Sequence, residues 1–418
     1  MFVERQPSKL LITARWVIPI DSTPIESGAV LIEEGKISAL GQAEQLVRNS
    51  VDADRIDLPD SALLPGLVNS HTHFELSFLK NQVPYRGDFV DWVRRLSRQR
   101  AEREVNLAKV IEQSCRESLR AGVTLIGDIC YGHQAWPILA EQPIRKTCYA
   151  EVFGITDEIG AALEYLQQCI NHTQESDLLR LGLSPHAPYS AGRPLYQAAA
   201  GLAKEHDLPL TSHLSETLAE LEFIDSAQGL WRTYLEELNK WDGSFKPLHK
   251  SPIGHLLNMN LANRPMLLAH VNYISDTDLD LLAKTNHSVA FCPRAHRFFA
   301  HPAHRFREMV ANGINVSLGT DSLAGNDSLS ILDDMRFLHK TQGELEPHVI
   351  FEMATINGAR ALHWSDKTGS ISPGKEADLV AIPLTKPQLD PLQDILQSSA
   401  TPTGTFVRGR QVYTDTVN

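Results

Sequence analysis

The sequence predicts an α/β fold in which eight parallel strands alternate with helices as a (β/α)8 TIM-like barrel, with a small β-sandwich domain formed from both chain ends. Three observations lead to this prediction. Short apolar runs alternate with amphipathic segments through the middle of the chain, eight such units can be counted, and both chain ends show only strand patterns. The 418 residues exceed an average domain, although one barrel can occupy much of that length.

The two chain ends alternate short apolar runs with turn signals. Strands are predicted over 10–20, 28–32 and 36–40 at one end and over 377–382 and 404–413 at the other. We therefore expect residues 1–64 and 365–418 to form the two parts of the sandwich, and residues 65–364 to form the barrel.

The middle of the chain supplies the barrel strands. Helical segments such as 90–121, 194–206 and 276–284 lie between them. A barrel is favoured over a doubly wound open sheet because metal-competent residues end four of the strands, and a barrel brings all such ends to one opening. The connection 218–262 is long, which is typical of a lid or an interface, and its aromatic residues are expected to form a small core. The eight predicted strands span 62–73, 123–129, 146–153, 179–184, 208–213, 266–271, 288–292 and 314–321.

Composition argues against several classes of protein. Hydrophobic residues make up 42% and charged residues 22%, which suits a large core. The net charge of -12, without a basic block, argues against nucleic-acid or anionic-membrane binding. The five cysteines contain no CxxC pair, so neither a disulfide framework nor a Cys-rich zinc site is indicated. No signal-peptide pattern or membrane-length apolar run is found, so a cytoplasmic protein is expected.

Histidine and aspartate residues at the strand ends predict a metal site. His71 and His73 share one face of the first strand, because residues i and i+2 of a strand point the same way. His213 and Asp321 end two other strands. Three imidazoles and one carboxylate could bind one divalent ion per chain and leave a position for water, whose pKa the metal would lower. Zinc is the expected ion and iron is the alternative.

Glu216 is the predicted acid–base residue. It lies three residues after His213, from where its carboxylate could reach a coordinated water and the substrate. The competing interpretation is a glutamate that caps a helix together with a neighbouring serine. His270, at another strand end, could be a ligand or could hydrogen-bond the activated water. Asp321 could bind the metal and also shuttle the proton.

These residues lie in segments that resemble the amidohydrolase superfamily, in its branch of cytosine deaminases and triazine chlorohydrolases. The resemblance covers nearly the whole chain and implies a metal-bearing barrel beside a small β-sandwich. Members with two metals carry a carboxylated lysine at the end of strand four, whereas here that strand ends at His186. The resemblance therefore implies one metal and a substrate contact for His186, whose alternative role is that of a packed turn histidine. The matching segments are 65–73, 184–190, 212–216, 268–270, 319–322 and 369–379.

The chain departs from this family pattern after strand seven. Many family deaminases have a Ser-Asn pair there, whereas this chain has Arg294 and His296. Both are candidates for recognising an anionic or polar substituent of the substrate. The alternative is that they are rim residues held by surface carboxylates.

The sequence as a whole predicts a metal-dependent aminohydrolase that releases ammonia from an amino-substituted N-heterocycle or a purine-nucleoside-like compound. Hydrolysis of a triazine-type chloride or alkylamine would use the same site and is the second interpretation. A metal-stabilised binding protein without turnover is the third, and Glu216 and Asp321 argue against it. The expected partners are a small-molecule substrate and, as a homodimer, a second copy of the chain, with neither nucleic acid nor membrane.

Overall fold

A computed structural model describes residues 8–132, 134–155, 158–247, 249–386 and 388–415. The strands in these ranges are β1 Lys9–Val17, β2 Ile25–Glu33, β3 Lys36–Gln42, β4 Asp54–Pro65, β5 Leu67–Thr72, β6 Val123–Cys130, β7 Arg145–Val152, β8 Leu179–Pro185, β9 Thr211–Leu214, β10 Leu267–His270, β11 Ser288–Phe291, β12 Asn315–Leu318, β13 Leu379–Pro383, β14 Gly404–Val407 and β15 Arg410–Thr414.

The helices lie mostly between these strands. A 3-10 turn spans Phe74–Leu79 and a π-helical turn spans Leu257–Leu261. No described helix is both long and apolar enough to cross a membrane. The α-helices are α1 Ala43–Asn49, α2 Phe89–Ala101, α3 Leu107–Arg120, α4 Ala135–Ala140, α5 Ile159–His172, α6 Arg193–Glu205, α7 Leu218–Ser226, α8 Leu230–Glu237, α9 Pro252–Leu256, α10 Asp276–Leu282, α11 Pro293–Phe298, α12 Phe306–Ala311, α13 Ile331–Thr341, α14 Pro347–Met353, α15 Ile356–Ala361 and α16 Pro391–Gln397.

The described strands form three sheets. Two are parallel and four-stranded, in the orders β5-β6-β7-β8 and β9-β10-β11-β12. The third is a mixed seven-stranded sheet in the order β15-β14-β13-β4-β1-β2-β3, to which both chain ends contribute. The α/β class is therefore confirmed, and the eight parallel strands correspond to the eight predicted units.

Isolated bridges link the edges of the two parallel sheets. Leu183 at the end of β8 pairs in parallel with Leu210, just before β9. Thr72 at the end of β5 pairs in parallel with Asp321, just after β12. One isolated bridge therefore joins the two sheets at each of these places.

Buried side chains reinforce the junction of β5 with the chain that follows β12. The Asn69 amide donates to the Thr320 hydroxyl at 2.8 Å, and the Thr320 backbone N–H donates to Asn69 Oδ1 at 3.0 Å. The Ser70 hydroxyl donates to the Leu318 carbonyl at 2.7 Å. These polar side chains satisfy backbone groups that a regular ladder would otherwise pair.

Two predicted elements differ from the structure for local reasons. The sequence predicts one helix over 90–121, whereas the structure has two, α2 and α3. The chain breaks between them, and α3 begins after Asn106, whose side chain caps it by accepting a hydrogen bond from the Lys109 N–H. The predicted strand over 404–413 is a hairpin. Its turn residues Arg408 and Gly409 have φ of 53° and 70°, which suits a tight two-residue turn between twisted strands.

The long connection between β9 and β10 packs against other strand–helix connections. Trp231 and Tyr234 of α8 share a buried cluster with Phe223 of α7. Tyr189 and Ile155, from two other strand–helix connections, belong to the same cluster. The expected aromatic core is present, but it is shared with the neighbouring connections.

A buried ion pair links the parallel strands to the seven-stranded sheet. The guanidinium of Arg145, at the start of β7, donates to Asp378, just before β13, at 2.7 and 3.2 Å. Both side chains are buried. Asp378 also accepts the Arg408 backbone N–H at 2.9 Å, and the guanidinium lies 5.0 Å from the centre of the Trp364 ring. The charges are therefore paired and hydrogen-bonded on both sides.

Substitution Asp378→Asn should destabilise the fold strongly, because it leaves the buried Arg145 charge without a counter-charge. We expect the free energy of unfolding, measured by urea titration, to fall by about 3–5 kcal/mol. Glu236→Gln, which breaks a half-exposed pair with Arg232 on α8, should change it by less than about 0.5 kcal/mol. If both substitutions lowered the free energy of unfolding equally, the buried pair would stabilise the fold no more than the half-exposed pair does.

Candidate active site

The carboxyl ends of the parallel strands bring the predicted metal ligands together. His73 Nε2 lies 3.3 Å from His71 Nε2 and 3.3 Å from His213 Nε2. Asp321 Oδ1 lies 3.6 Å from His73 Nε2 and 3.9 Å from His71 Nε2. Residues separated by up to 250 positions therefore lie side by side, and the side-chain atoms of His71, His73 and Asp321 that could bind a metal lie within 4.8 Å of one another.

The protonation states of these residues fit a divalent cation. Burial, the largest cause, and neighbouring histidines lower the pKa of His71 and His73 well below the usual range. Burial lowers the pKa of His213 to about 4. The imidazoles are therefore neutral, which is the form that binds metals. Three neutral imidazoles and one carboxylate, Asp321, are a donor set that suits zinc and similar ions.

Backbone contacts orient the ligands towards their common centre. His213 Nδ1 lies 3.1 Å from the carbonyl oxygen of His186. A proton on Nδ1 donates there and leaves Nε2 free to face the other ligands. His270 and Asp321 have φ of 73° and 58°, an uncommon conformation for non-glycine residues that turns both side chains at their strand ends.

Glu216 lies in the turn between β9 and α7, next to His270. Its Oε1 is 3.5 Å from His270 Nε2, and both side chains are buried. Burial first, and the charges of Asp321 and Glu220 next, raise the pKa of Glu216 well above its usual range. Thr217, not Glu216, caps α7, so the carboxyl of Glu216 remains available for chemistry.

Glu220 holds the turn that carries Glu216, and the sequence analysis overlooked it. Its carboxylate accepts the Ser215 N–H at 2.8 Å and the Glu216 N–H at 2.7 Å. Burial raises the pKa of Glu220 to about 7, although these hydrogen bonds act in the opposite direction. The pattern Thr217-x-x-Glu220 is a capping-box signature and could have revealed this role.

A cavity of about 180 Å³ lies over the ligands and is lined by His73, Glu216, His270 and Asp321. Two further carboxyl side chains line it. Glu75 accepts a hydrogen bond from Arg100 at 3.0 Å, whereas Oε1 of Glu151 is buried without a partner among the described residues. Burial raises the pKa of each of these glutamates to about 8.

Sequence reasoning did not single out these wall residues. Glu75 is close to the His71–His73 pair but matches no motif used in the analysis. Arg100 belongs to a charged amphipathic helix, where a solvated surface residue is the usual case, yet its guanidinium lies 4.5 Å from the centre of the Tyr131 ring. Glu151 lies in a wholly buried strand, β7, whose pattern reports burial without showing which side chains face a cavity.

The chain matches the model of a known family. The model of the amidohydrolase family matches residues 62–412, which is most of the chain. The chain belongs to the amidohydrolase family. The predicted relationship is thereby confirmed.

Two curated amidohydrolase relatives cover most of the chain. A 5-methylthioadenosine/S-adenosylhomocysteine deaminase of Nitratidesulfovibrio vulgaris is 29% identical over 93% of this chain and 87% of its own length. A 5'-deoxyadenosine deaminase of Methanothermobacter thermautotrophicus is 28% identical over 89% of this chain and 84% of its own. Each match therefore covers most of this chain and most of the relative.

Solved structures resemble this amidohydrolase in fold. Helicobacter pylori aminofutalosine deaminase, solved in complex with methylthio-coformycin, superposes with a TM-score of 0.87 at 24% identity, covering 96% of this chain and 100% of that one. Arthrobacter aurescens atrazine chlorohydrolase, solved with zinc, gives 0.82 at 20% identity and covers 97% of each chain. Identities at this level establish the fold alone.

His186 lines the cavity of this amidohydrolase at the end of β8. Its Nδ1 lies 2.6 Å from the Ser190 hydroxyl, and its ring packs 4.5 Å from the Phe153 ring. Both the predicted substrate contact and the packed-turn alternative are compatible with this position, because the side chain is fixed by neighbours and still borders the cavity. The substrate contact stays a prediction.

Arg294 and His296 are not brought to this cavity; neither is among the described residues that line it. Arg294 pairs with Asp327 at 2.6 Å and with the buried Asp334 at 3.0 Å. His296 Nε2 donates to the Pro302 carbonyl at 2.7 Å. Both side chains form hydrogen bonds within the segments that follow β11 and β12. This geometry does not support the predicted contact with the substrate.

Glu220→Gln should weaken the active-site turn, because an amide NH₂ would replace one of the two oxygens that accept backbone N–H groups. We expect a loss of about 1–3 kcal/mol in the free energy of unfolding and a fall in kcat for whichever substrate is turned over. Urea titration and steady-state kinetics measure the two effects. Glu222→Gln, an exposed change on the same helix, should alter neither; an unchanged kcat in Glu220→Gln would contradict the positioning role.

Proposed function

We propose that this protein is a hydrolytic deaminase of an adenosine-like nucleoside. It would replace the exocyclic amine of the purine ring with oxygen and release ammonia. The observation that carries the proposal is the buried Glu216 carboxyl, 3.5 Å from His270 and beside the four ligands. Burial raises the pKa of this carboxyl well above its usual range, which favours the protonated form that can act as the acid in such a reaction.

The predicted reaction class is confirmed by the family match and by the named deaminase relatives: a hydrolase that acts on a non-peptide carbon–nitrogen bond. The names of both curated relatives specify adenosine derivatives, and this supports the nucleoside as substrate. The triazine alternative has only the fold of atrazine chlorohydrolase behind it, at 20% identity. We therefore favour the nucleoside.

The metal in this proposal is one zinc ion per chain, held by His71, His73, His213 and Asp321. When bound, zinc would lower the pKa of a coordinated water and so activate it for attack. His270 also lies near these ligands, with its ring 5.2 Å from that of His71. Its ring nitrogen forms a metal-competent group with those of His71 and His213, all within 4.8 Å of one another, and it also contacts Glu216. His270 would therefore bind the metal or orient the water and the acid.

Two carboxyl groups would move the protons. Asp321 takes a proton from water as its oxygen bonds to the ring carbon that bears the amine, and Glu216 protonates the adjacent ring nitrogen. Asp321 then passes its proton to the amine, which leaves as ammonia, while the new hydroxyl returns a proton to Glu216. Burial raises the pKa of Asp321 to about 7, which suits a group that accepts and releases a proton near neutral pH.

We also infer that the eight parallel strands close into a barrel over residues 65–364, supported by the Leu183–Leu210 and Thr72–Asp321 bridges. Residues 1–64 and 365–418 would then form the sandwich. In its support, the Ile37 N–H at the β3 edge donates to the Lys375 carbonyl at 2.8 Å, so the seven-stranded sheet curls back on itself.

Metal analysis tests the ligand assignment. Purified protein should contain about one zinc per chain, and chelation should abolish ammonia release until zinc is restored. His73→Ala should lower the zinc content well below one per chain, whereas His172→Ala, an exposed histidine of α5, should leave it unchanged. Retention of the full metal content by His73→Ala would rule out the assigned shell.

The acid role of Glu216 is tested by Glu216→Gln, which keeps the size of the side chain and removes the transferable proton. Ammonia release from adenosine-type substrates should fall by about 10²- to 10⁴-fold while the zinc content stays at the parent level. Glu222→Gln serves as the control for a change of charge on the neighbouring helix. Near-normal turnover by Glu216→Gln would refute the mechanism.

A further inference from the structure

The turn that follows β10 holds His270 beside Glu216, and its backbone is strained. His270 and Val271 have φ of 73° and 49°. Two successive non-glycine residues in the left-handed region are unusual, and a β-branched residue such as valine rarely adopts it. A backbone of this kind persists only where the surrounding structure over-determines it. The contacts on either side of the turn therefore decide where His270 lies.

On one side, the β10 turn is joined to the turn that carries Glu216. The backbone N–H groups of Val271 and Tyr273 donate to the carbonyl groups of residues 214 and 215 at 3.0 and 3.1 Å. The side-chain amide of Asn272 donates to the Glu216 carbonyl at 3.1 Å. A shift of the β10 turn would therefore be passed on to the backbone of Glu216.

On the other side, the β10 turn faces three histidines of the chain that follows β11. His296 belongs to α11, whereas His301 and His304 lie in the loop that leads to α12. The ring of His296 lies 5.2 Å from that of His301 and 5.5 Å from that of His304. These three residues are called the histidine cluster below.

Each ring of the histidine cluster contacts a different residue of the β10 turn. The contacts are His304 Nε2 to the His270 carbonyl oxygen at 2.8 Å, His296 Nδ1 to Asn272 Oδ1 at 2.9 Å and His301 Nδ1 to the Tyr273 hydroxyl at 3.1 Å. The turn is therefore held between the cluster and the chain around Glu216.

His304 makes the contact that bears on His270 itself. Its Nε2–H donates to the His270 carbonyl, while its Nδ1 is buried without a partner among the described residues. Its ring stacks on Phe291, the last residue of β11, at 4.0 Å with an angle of 21°. His304 is not among the described residues that line the active-site cavity. Any effect it has on the reaction must therefore pass through His270.

We propose that the histidine cluster is a positioning element of the active site, with His304 as its principal member. By holding the His270 carbonyl, His304 keeps the imidazole of His270 and, through Asn272, the turn of Glu216 in the reactive arrangement. A displacement of about 1 Å at a reacting group can cost roughly 100-fold in rate. This inference rests on the proposed deaminase function and adds residues that support its reacting groups.

Two substitutions of one residue test the positioning role. His304→Phe keeps the ring stacked on Phe291 and removes the donor, whereas His304→Gln keeps a side-chain N–H donor. With zinc-loaded enzyme and 5′-methylthioadenosine as the probe, His304→Phe should lower kcat for ammonia release by about tenfold or more. KM should stay within about twofold, since His304 does not border the cavity. His304→Gln should restore kcat to within about threefold of the parent.

His287→Phe is the matched control. His287 is buried, and its Nδ1 accepts the N–H of Met266 at 3.2 Å, at the opposite end of β10. The same chemical change there removes a buried imidazole that contacts the same strand away from the site. It should leave kcat within about twofold, whatever it does to stability.

Hydrogen–deuterium exchange measures the turn without relying on turnover. Relative to the amide of Leu268, within β10, the amides of Val271 and Tyr273 should exchange about tenfold faster in His304→Phe, because a local opening replaces a held turn. In His304→Gln and His287→Phe the ratio should equal that of the parent.

The outcomes separate the positioning role from the reaction. If the parent releases no ammonia from any adenosine derivative, the proposed deaminase function is wrong, and the exchange ratios alone decide the role of His304. Parent-like kcat in His304→Phe, or a rise of KM in place of a fall of kcat, would overturn the positioning role and leave the deaminase standing. A loss of kcat that His304→Gln does not restore would also contradict it, because the donor would not be the group that matters.

Discussion

The pairing of β5 with the chain that follows β12 is the constraint on which the rest of the site depends. The backbone N–H of Asp321 donates to the carbonyl of His71 at 3.0 Å, and the same two residues present their side chains to the ligand cluster. The hydrogen bonds that join the last parallel strand to the first therefore also set the spacing of the ligands. A slip of one residue would turn these side chains away from each other. This explains why Asn69 and Ser70, which lock this register, precede the histidines.

Burial determines the chemistry at this junction. It keeps the histidines neutral and raises the pKa values of Glu216 and Asp321, in accordance with the general cost of an ionised group in a poorly solvated place. A neutral imidazole can bind a cation, and a protonated carboxyl can act as an acid. Burial thus favours both the neutral imidazoles and the protonated carboxyl groups on which the proposed reaction depends.

The clustering of His71, His73, His213 and Asp321 with Glu216 could be predicted from the sequence because these residues follow strand-like runs directly, and parallel strands share one end. The α/β class followed from the alternation of strand and helix patterns. The helix break before Asn106 was missed because a five-residue loop interrupts the amphipathic pattern only briefly. Glu151 and Arg100 could not be identified, since a buried strand and a charged helix show no sign of which side chain meets a cavity. The placement of Arg294 depends on Asp334, forty positions away, and only the folded chain shows that contact.

In the proposed deaminase, the reacting groups and the walls of the adjoining space come from different parts of the fold. The ligands and the acid stand at strand ends, where hydrogen-bonded register fixes their positions. A neighbouring cavity is lined by residues of α5 and α8, which lie in connections whose length and packing can change without altering that register. A substitution in α8 can therefore reshape that cavity while the distances among His73, His213 and Asp321 remain the same. Such a division is consistent with the general observation that a shared fold leaves the substrate undetermined: in the proposed function the groups at the strand ends carry out the reaction, whereas the loops and helices around them can vary.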